Sequence, residues 1–344
     1  MKILFIGKTD FKYNRVQVLI EGLKQLDGVD VLFYPLKSRS SIDKKDFLRI
    51  QEDIDFIYIP PFRHRDVRFI KSISTKPVVF DPLISKLLTK AVDYRQFWKI
   101  PSKYYLDKVA FSNCDILIAD TEEDKNYYCK TFRIKESKVG VVPVGVNTSQ
   151  FFPLPTKSKT KTIVGSYASY VPLQGMPKII RAAEILKNNK NIEFHLIGSG
   201  YDFKKVKRFA EKHNLTNVKF SGKIKYEALN EAVNKFDICM GIFGDSLKAD
   251  SVIPNKVYHY AALRKCIISK DTPAIKEIFT NNENIILCEN KPQQIADNIL
   301  KLINNTELRN KIAKNGYKVI SEDYNHTQVA RSFVKILEDY QKNR

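Results

Sequence analysis

Sulfur is scarce and unpaired in this chain: three methionines and five cysteines among 344 residues, with no C-x-x-C pair. An odd number of thiols, each in an apolar or helical context, excludes a disulfide framework. Cys114, Cys129, Cys239, Cys266 and Cys288 read as reduced core thiols. The five histidines form no H-x-x-x-H or H-E-x-x-H pair, so a zinc site has no ligand set and no metal is expected. No apolar run approaches the ~20 residues that a spanning helix needs. Met1-Lys2 leads straight into the strand-like Ile3-Leu4-Phe5-Ile6, with no signal-peptide pattern. The expectation is a cytoplasmic chain, soluble or peripheral to the inner face of the plasma membrane.

Charge and apolar periodicity are plentiful. At 43% hydrophobic and 28% charged, the chain exceeds one ordinary core and suits two domains of about 150 residues each. The balance of 58 basic against 38 acidic side chains gives +20, divided as +7 over residues 1–150 and +13 over 151–344. That excess suits a partner carrying phosphate: nucleic acid, an anionic membrane or a nucleotide-linked substrate. No helix-turn-helix, zinc-finger or RNP pattern accompanies it, so specific nucleic-acid binding is not expected.

Runs of β-branched and aromatic residues alternate with helical patterns, the signature of βα units around a parallel sheet, and the alternation occurs twice. The first set predicts strands over 2–7, 29–34, 54–59, 77–80, 115–119 and 139–142, with helices such as 15–26 and 122–132. The run FFPLPTKSKTK at 151–161 has two prolines, three lysines and no periodicity, and reads as a linker. The second set predicts strands over 162–165, 192–197, 218–221, 236–241, 266–269 and 284–288. The expected domains are 1–150 and 162–324, with 325–344 a terminal helix. Two doubly wound sheets, each binding ligand at the carboxyl ends of its strands, would face each other across a cleft.

The most informative segment is GIFGDSLKADSVIPNKVYHYAALRKCII at 241–268. A strand ends at Gly241, a loop carries Gly244, Asp245 and Lys248, and Pro254-Asn255-Lys256 opens a helix running to Leu263. Proline in the first helical turn leaves backbone N–H groups pointing out of the helix, a ready phosphate site flanked here by two lysines. Such a cluster would stabilise the charge that grows on a departing diphosphate without a metal. An ordinary loop with solvated lysines is the plain alternative.

Here the chain resembles a known family. KVGVVPVGVNTSQFFP at 138–153 is similar to the inter-domain signature of retaining glycosyltransferases of the GT-B fold, family four of the sequence classification. So are VGSYASYVPLQGMPKIIRAAEIL at 164–186, FHLIGSGYDF at 194–203 and the loop and helix from Asp245 to His259. Together these most resemble a subgroup reading GIFGD-x-x-KA…IPNKVYE. The resemblance implies two Rossmann-like domains and a C-terminal helix crossing back to the first. It also implies sugar transfer with retained configuration, in cell-surface glycan assembly, from a UDP- or GDP-sugar to a sugar or lipid-linked sugar. The nucleotide sugar is a substrate, so no cofactor is expected.

Residue by residue, the resemblance assigns Asp245, Lys248, Pro254, Asn255 and Lys256 to the donor loop, with both lysines on the diphosphate. Gly165 and Gly175 fall where glycine backbone nears donor phosphate or sugar, Gln174 is a further donor-binding candidate, and Gly198 and Gly200 match a loop near the nucleotide. Two departures stand out. The family's paired glutamates are Ser251 and His259, and its Arg and Lys after the first strand of the second domain are Ser166 and Gln174. His259 is expected to take over the ribose hydrogen bond and Asp245 to supply the missing carboxylate.

In the first domain Asp81 ends a strand, where the family contacts the reacting sugar; helix capping before Pro82 is the alternative. Asn14, Arg15 and His64 are the acceptor candidates, with capping by Asn14 and a solvated His64 as the plain readings. Asp53-Ile54-Asp55 has metal-binding D-x-D spacing but precedes a strand and reads as a strand cap. Gly198-x-Gly200 lacks a dinucleotide fingerprint's third glycine, since Phe203 stands there, and NAD is not expected.

KLLTKAVDYRQFWKIPSKYY at 86–105 mixes five basic residues with aromatics. It fits either docking on an anionic bilayer or a helical pair whose aromatics pack inward, and the packing reading is preferred. The functional expectation is a metal-independent retaining glycosyltransferase. A nucleotide-sugar epimerase of the same fold and a non-catalytic nucleotide-sugar-binding module are the alternatives.

Overall fold

The computed structural model describes residues 1–7, 13–36, 38–155 and 160–343, with the side chain of Ser40 left aside. They form two compact units, Met1–Asn147 with Tyr324–Arg344, and Thr148–Asp323.

The first unit holds a six-stranded sheet: β1 (Lys2–Gly7), β2 (Asp30–Pro35), β3 (Phe56–Ile59), β4 (Val78–Phe80), β5 (Ile116–Ala119) and β6 (Val139–Val141). Their order is β2-β1-β3-β4-β5-β6, all parallel, with Ile3 between Val31 and Phe56. Parallel pairing forces helical crossovers on both faces, so inner strands such as FIYI are wholly apolar and wholly buried.

The second unit repeats the plan with β7 (Thr162–Ala168), β8 (Ile192–Gly198), β9 (Val218–Gly222), β10 (Ile238–Met240), β11 (Cys266–Lys270) and β12 (Ile286–Cys288). Their order is β12-β11-β10-β7-β8-β9, again parallel. All twelve expected strands are present, and the fold is the expected α/β pair of doubly wound sheets. The differences lie at ends. Thr162–Ala168 outruns its prediction, while β10 is three residues long, although the Asp237 and Gly241 amides on either side of it still donate to Ile163 O and Ile268 O.

The C-terminal helix His326–Lys342 belongs to the first unit. Asn325 caps it, accepting from the Thr327 and Gln328 amides at 3.0 and 3.1 Å. Val329, Ala330, Phe333 and Leu337 then pack with Val16, Leu19, Ile20 and Leu23 of the helix Asn14–Leu23. Gly22 lets the two backbones meet, since a Cβ there would overlap the His326 carbonyl oxygen.

Two expectations need correction. Residues 151–154 of the supposed linker are docked on the second unit: Phe151 is buried, and the Phe152 and Leu154 amides donate to Asn230 Oδ1 and Asn234 Oδ1 at 3.2 and 2.9 Å. Residues 156–159 lie outside the described residues. In the segment 86–105, Leu87 and Leu88 do pack inward, but Phe97, Trp98 and Tyr105 are exposed, Trp98 by 75%. The preferred packing reading therefore fails for these three aromatics and holds for Tyr104, whose ring meets that of Phe132 at 5.3 Å.

In a free helix Gly22→Ala would stabilise by roughly 1 kcal/mol. Here the methyl group meets backbone, so overpacking should win and the variant should lose about 1–3 kcal/mol in urea denaturation. Unchanged stability would mean that the C-terminal helix yields freely.

Candidate functional site

In the second unit the chain grows outward from β7 to β9 and then, on the other side, from β10 to β12, leaving β7 and β10 as neighbours at the switch point. Open α/β sheets bind ligands in the crevice beyond such strand ends. Lys256 occupies this place. Its Nζ donates to Ser166 Oγ on β7 at 3.2 Å and to Gly241 O just past β10 at 3.5 Å, and lies 5.9 Å from the Tyr167 ring centroid. The side chain is 2% exposed, and no carboxylate among the described residues pairs with it. Burial pushes its pKa from 10.5 down to about 7.

The other donor candidates lie on the loop and the two short helices that follow β10. Lys248 is buried on Leu247–Ser251, which Ser246 caps by accepting from the Ala249 amide. Asn255–Ala262 starts from Pro254, a cap with no side-chain hydrogen bond, so its first amides face outward uncapped by side chains. Ser251, in place of a family glutamate, donates to Leu247 O within its own helix at 2.9 Å. Asp245 stands at the rim. It pairs with Lys178 and accepts from Asn290 Nδ2 at 2.7 Å. Partial burial pushes this carboxyl up, but the two donors outweigh that and hold it below its ordinary value.

His259 is not at the rim. It is 1% exposed, its ring stacks on Phe151 at 3.7 Å, and Nδ1 lies 2.6 Å from Tyr167 Oη. Burial pushes its pKa down to about 3, so the imidazole is neutral, with Tyr167 as its partner where a ribose was expected.

The glycines have backbone reasons of their own. Gly165 faces the Phe236 ring, which a Cβ would overlap. Gly198, at φ +114°, and Gly200 let the loop after β8 pass against the carbonyls of Ala168 and Ser169. Gly175, at φ +63°, abuts the Phe243 carbonyl, and that loop is laced down by Gly244 N to Leu173 O at 2.9 Å. Gln174 turns its amide oxygen back to the Val171 N–H at 3.3 Å. Close backbone approach accounts for Gly175, Gly198 and Gly200, and the Phe236 ring for Gly165.

In the first unit the candidates also gather beyond strand ends, but as a closed core. Arg15, 1% exposed, donates from Nε to Asp81 Oδ2 at 2.7 Å, while Tyr58 Oη donates to the same oxygen at 2.9 Å. Arg15 Nη1 donates to Pro143 O. Asp81, 2% exposed, is thus the counter-ion of a buried guanidinium and neither caps a helix nor presents a free carboxylate. Asn14 is buried as the first helical residue, and the cap position is Tyr13. His64 begins the helix His64–Ser72, wedged between the Phe80 and Phe111 rings with Nε2 3.0 Å from Ile84 O. Burial first, then Lys86, pushes it down to about 3, and a neutral core imidazole is not placed to meet an acceptor.

Sequence reasoning passed over Tyr58, Lys178 and Asn290. Tyr58 carried a signal, because a tyrosine in a wholly apolar strand needs a partner for its hydroxyl. Lys178 stands three residues after Gly175, within the quoted motif; Asn290 carried none. Among the described residues no three His, Cys, Asp or Glu side chains converge as metal ligands, and no helix is long and apolar enough to cross a membrane.

With this geometry in place, comparison with known proteins is informative. Residues 149–319 match the family described as glycosyl transferases group 1. Two uncharacterized glycosyltransferases of Methanocaldococcus jannaschii are 23% and 24% identical over 68% of this chain, which spans 60% and 62% of their lengths. Among solved structures, sucrose-phosphate synthase of Thermosynechococcus elongatus superposes with a TM-score of 0.78 at 13% identity, covering 100% of this chain and 99% of that one. HepE of Anabaena, solved with UDP, gives 0.75 at 13% identity over 98% and 100%. The second unit is accordingly a glycosyl transferases group 1 domain, in a chain with the two-sheet GT-B fold.

Proposed function

We propose that this chain is a retaining glycosyltransferase that works without a metal, moving a hexose from a UDP- or GDP-sugar to a sugar or lipid-linked sugar acceptor in cell-surface glycan assembly. It would work in the cytoplasm or at the inner face of the plasma membrane. The observation that carries the reading is Lys256, a buried ammonium with only neutral partners at the switch point, beside a helix start uncapped by any side chain. A diphosphate placed there meets a desolvated cation and helix amides, which replace the charge neutralisation that a metal gives elsewhere. Lys248 adds a second cation, and Asp245, held ionised by Lys178, orients a sugar hydroxyl at the rim. The UDP and UDP-glucose complexes of HepE support a nucleotide-sugar donor. A second reading, a binding module without transfer, draws on two observations: Asp81 is committed to Arg15, and serine and histidine replace the family glutamates.

Lys256 predicts a trade between stability and binding. In the unfolded chain its pKa is near 10.5 and in the folded chain about 7, so between those values the unfolded chain binds the extra proton and stability rises with pH. Lys256→Met should therefore stabilise the protein most below pH 7, with the advantage fading toward pH 10 in denaturant titrations. The same variant should lose the thermal shift that UDP gives the wild type and cut donor turnover by on the order of tenfold or more. Wild-type affinity for UDP should weaken as pH rises through about 7, and the variant should show no such dependence. An unchanged UDP shift in Lys256→Met would sink the diphosphate assignment. Activity that EDTA abolishes and Mn²⁺ restores would sink the metal-free one.

Asp81→Ala leaves Arg15 buried without its counter-ion and should destabilise the first unit by about 3–5 kcal/mol. Stability retained with turnover lost would return Asp81 to the reacting sugar. Wild type that shifts with UDP-sugar yet transfers to no acceptor favours the binding module.

A further inference from the structure

The helix Ile100–Asn113 and the turn Phe97–Lys99 before it are built the wrong way round for a helix facing only water. The inner face buries Asp107, Ala110 and Phe111. The opposite face, which in a soluble helix would be polar, carries Pro101 and Tyr105 one turn apart, while Ile100 is left exposed at the helix start, beyond the buried part of its own stripe. Phe97 and Trp98 extend this face from the preceding turn. Exposure runs to 75% for Trp98, 65% for Tyr105 and 59% for Phe97. Contiguous aromatic surface of this kind marks an interaction site, since water gains nothing from it.

The charges are sorted in the opposite sense. Between residues 82 and 114 there are two acidic side chains, Asp93 and Asp107, and both are buried. Asp107 faces inward to accept from Ser85 Oγ at 2.7 Å and from the Leu87 and Lys86 amides at 2.8 and 3.0 Å. Six basic residues share the stretch, and none is buried: Lys86, Lys90, Arg95, Lys99, Lys103 and Lys108. Two sit over aromatic rings, Lys86 over the half-exposed Phe62 at 5.1 Å and Lys90 over Tyr94 at 4.7 Å. Acids inward with cations and aromatics outward leaves this surface apolar and of one sign.

We propose that the face formed by Phe97, Trp98, Ile100 and Tyr105, ringed by Lys90, Arg95, Lys99 and Lys103, docks the first unit on an anionic phospholipid bilayer. Tryptophan and tyrosine settle at the headgroup boundary, where a flat apolar body and a polar tip are both satisfied. Lysines and arginines beside them meet lipid phosphates, each improving partitioning by roughly fivefold near an anionic surface. Within residues 82–114 every charge that is not buried is positive, which favours an anionic lipid surface over a like-charged second copy of this segment. The proposal concerns the first unit and does not rest on the nucleotide-sugar reading, although a lipid-linked acceptor would give the docking a purpose.

Trp98 is the only tryptophan, so its fluorescence reports this face alone. The full chain is mixed with vesicles of phosphatidylglycerol and phosphatidylcholine, or of phosphatidylcholine alone. With the anionic vesicles Trp98 emission should shift to the blue and be quenched by brominated lipid, and the chain should co-sediment; phosphatidylcholine alone should do neither. Lys90→Glu with Lys103→Glu should lower partitioning by on the order of tenfold or more. Lys311→Glu with Lys314→Glu, the same charge change on an exposed helix of the second unit, should lower it far less. Trp98→Ala with Tyr105→Ala should also release the chain from vesicles while keeping the UDP thermal shift, which separates this proposal from the donor reading. Trp98 emission unmoved by anionic vesicles overturns the proposal, as do equal losses in the two lysine pairs. A blue shift that grows with protein concentration in the absence of lipid assigns the face to self-association and overturns it too.

Discussion

Burying an ammonium group with no carboxylate beside it is the constraint around which the second unit's site is arranged. A desolvated cation lowers its own pKa and the stability of the fold that holds it. Here the surroundings soften this only with a hydroxyl and a carbonyl, Ser166 and Gly241, both neutral. An arrangement that is unfavourable in the free protein becomes favourable when an anion arrives, because the desolvation has already been met and the incoming charge finds an unscreened partner. The short helix Asn255–Ala262 makes the same offer through its amides. Cation and helix start lie within two residues of each other, so one turn of chain delivers both.

The first unit answers the same problem in the opposite way. Arg15 is as deeply buried as Lys256, yet its charge is met by Asp81, by the tyrosine hydroxyl that shares Asp81's oxygen, and by a backbone carbonyl. A guanidinium paired in this fashion stays ionised and has little left for a ligand. The two sheets have closely similar topology, but one switch point is closed by an ion pair and the other holds an unmatched charge. That contrast separates a core from a site more sharply than burial or residue type does.

Much of this was legible beforehand. Parallel sheets write themselves in continuous apolar runs, which is why twelve strands could be placed and only their ends shifted. The donor loop was legible because glycine, proline and lysine fall together in GIFGD…IPNK. What was not legible is depth. Lys256 looks like a solvated lysine when counted as charge. Its neighbours Val257, Tyr258, Tyr260 and Ala261 make the helix apolar all round, and only a helix buried on every side reads that way. The Arg15–Asp81 pair was not legible for a related reason: pairing across 66 residues of chain leaves no local pattern.

The outward aromatics failed in reverse, since sequence gives no direction for Phe97 and Trp98. The same inner face that fixes Asp107 fixes that direction. Asp107 gathers Ser85 and two backbone amides of the preceding segment, which pins the helix by its polar side and leaves Tyr105, two positions away, to turn outward. Phe111 holds the helix in the same orientation, packed among the Phe80, Tyr128 and Phe132 rings, so the polar and apolar contacts of the inner face agree. The aromatic surface thus persists because turning the helix would strand Asp107 without hydrogen-bond partners and draw Ala110 and Phe111 out of the core.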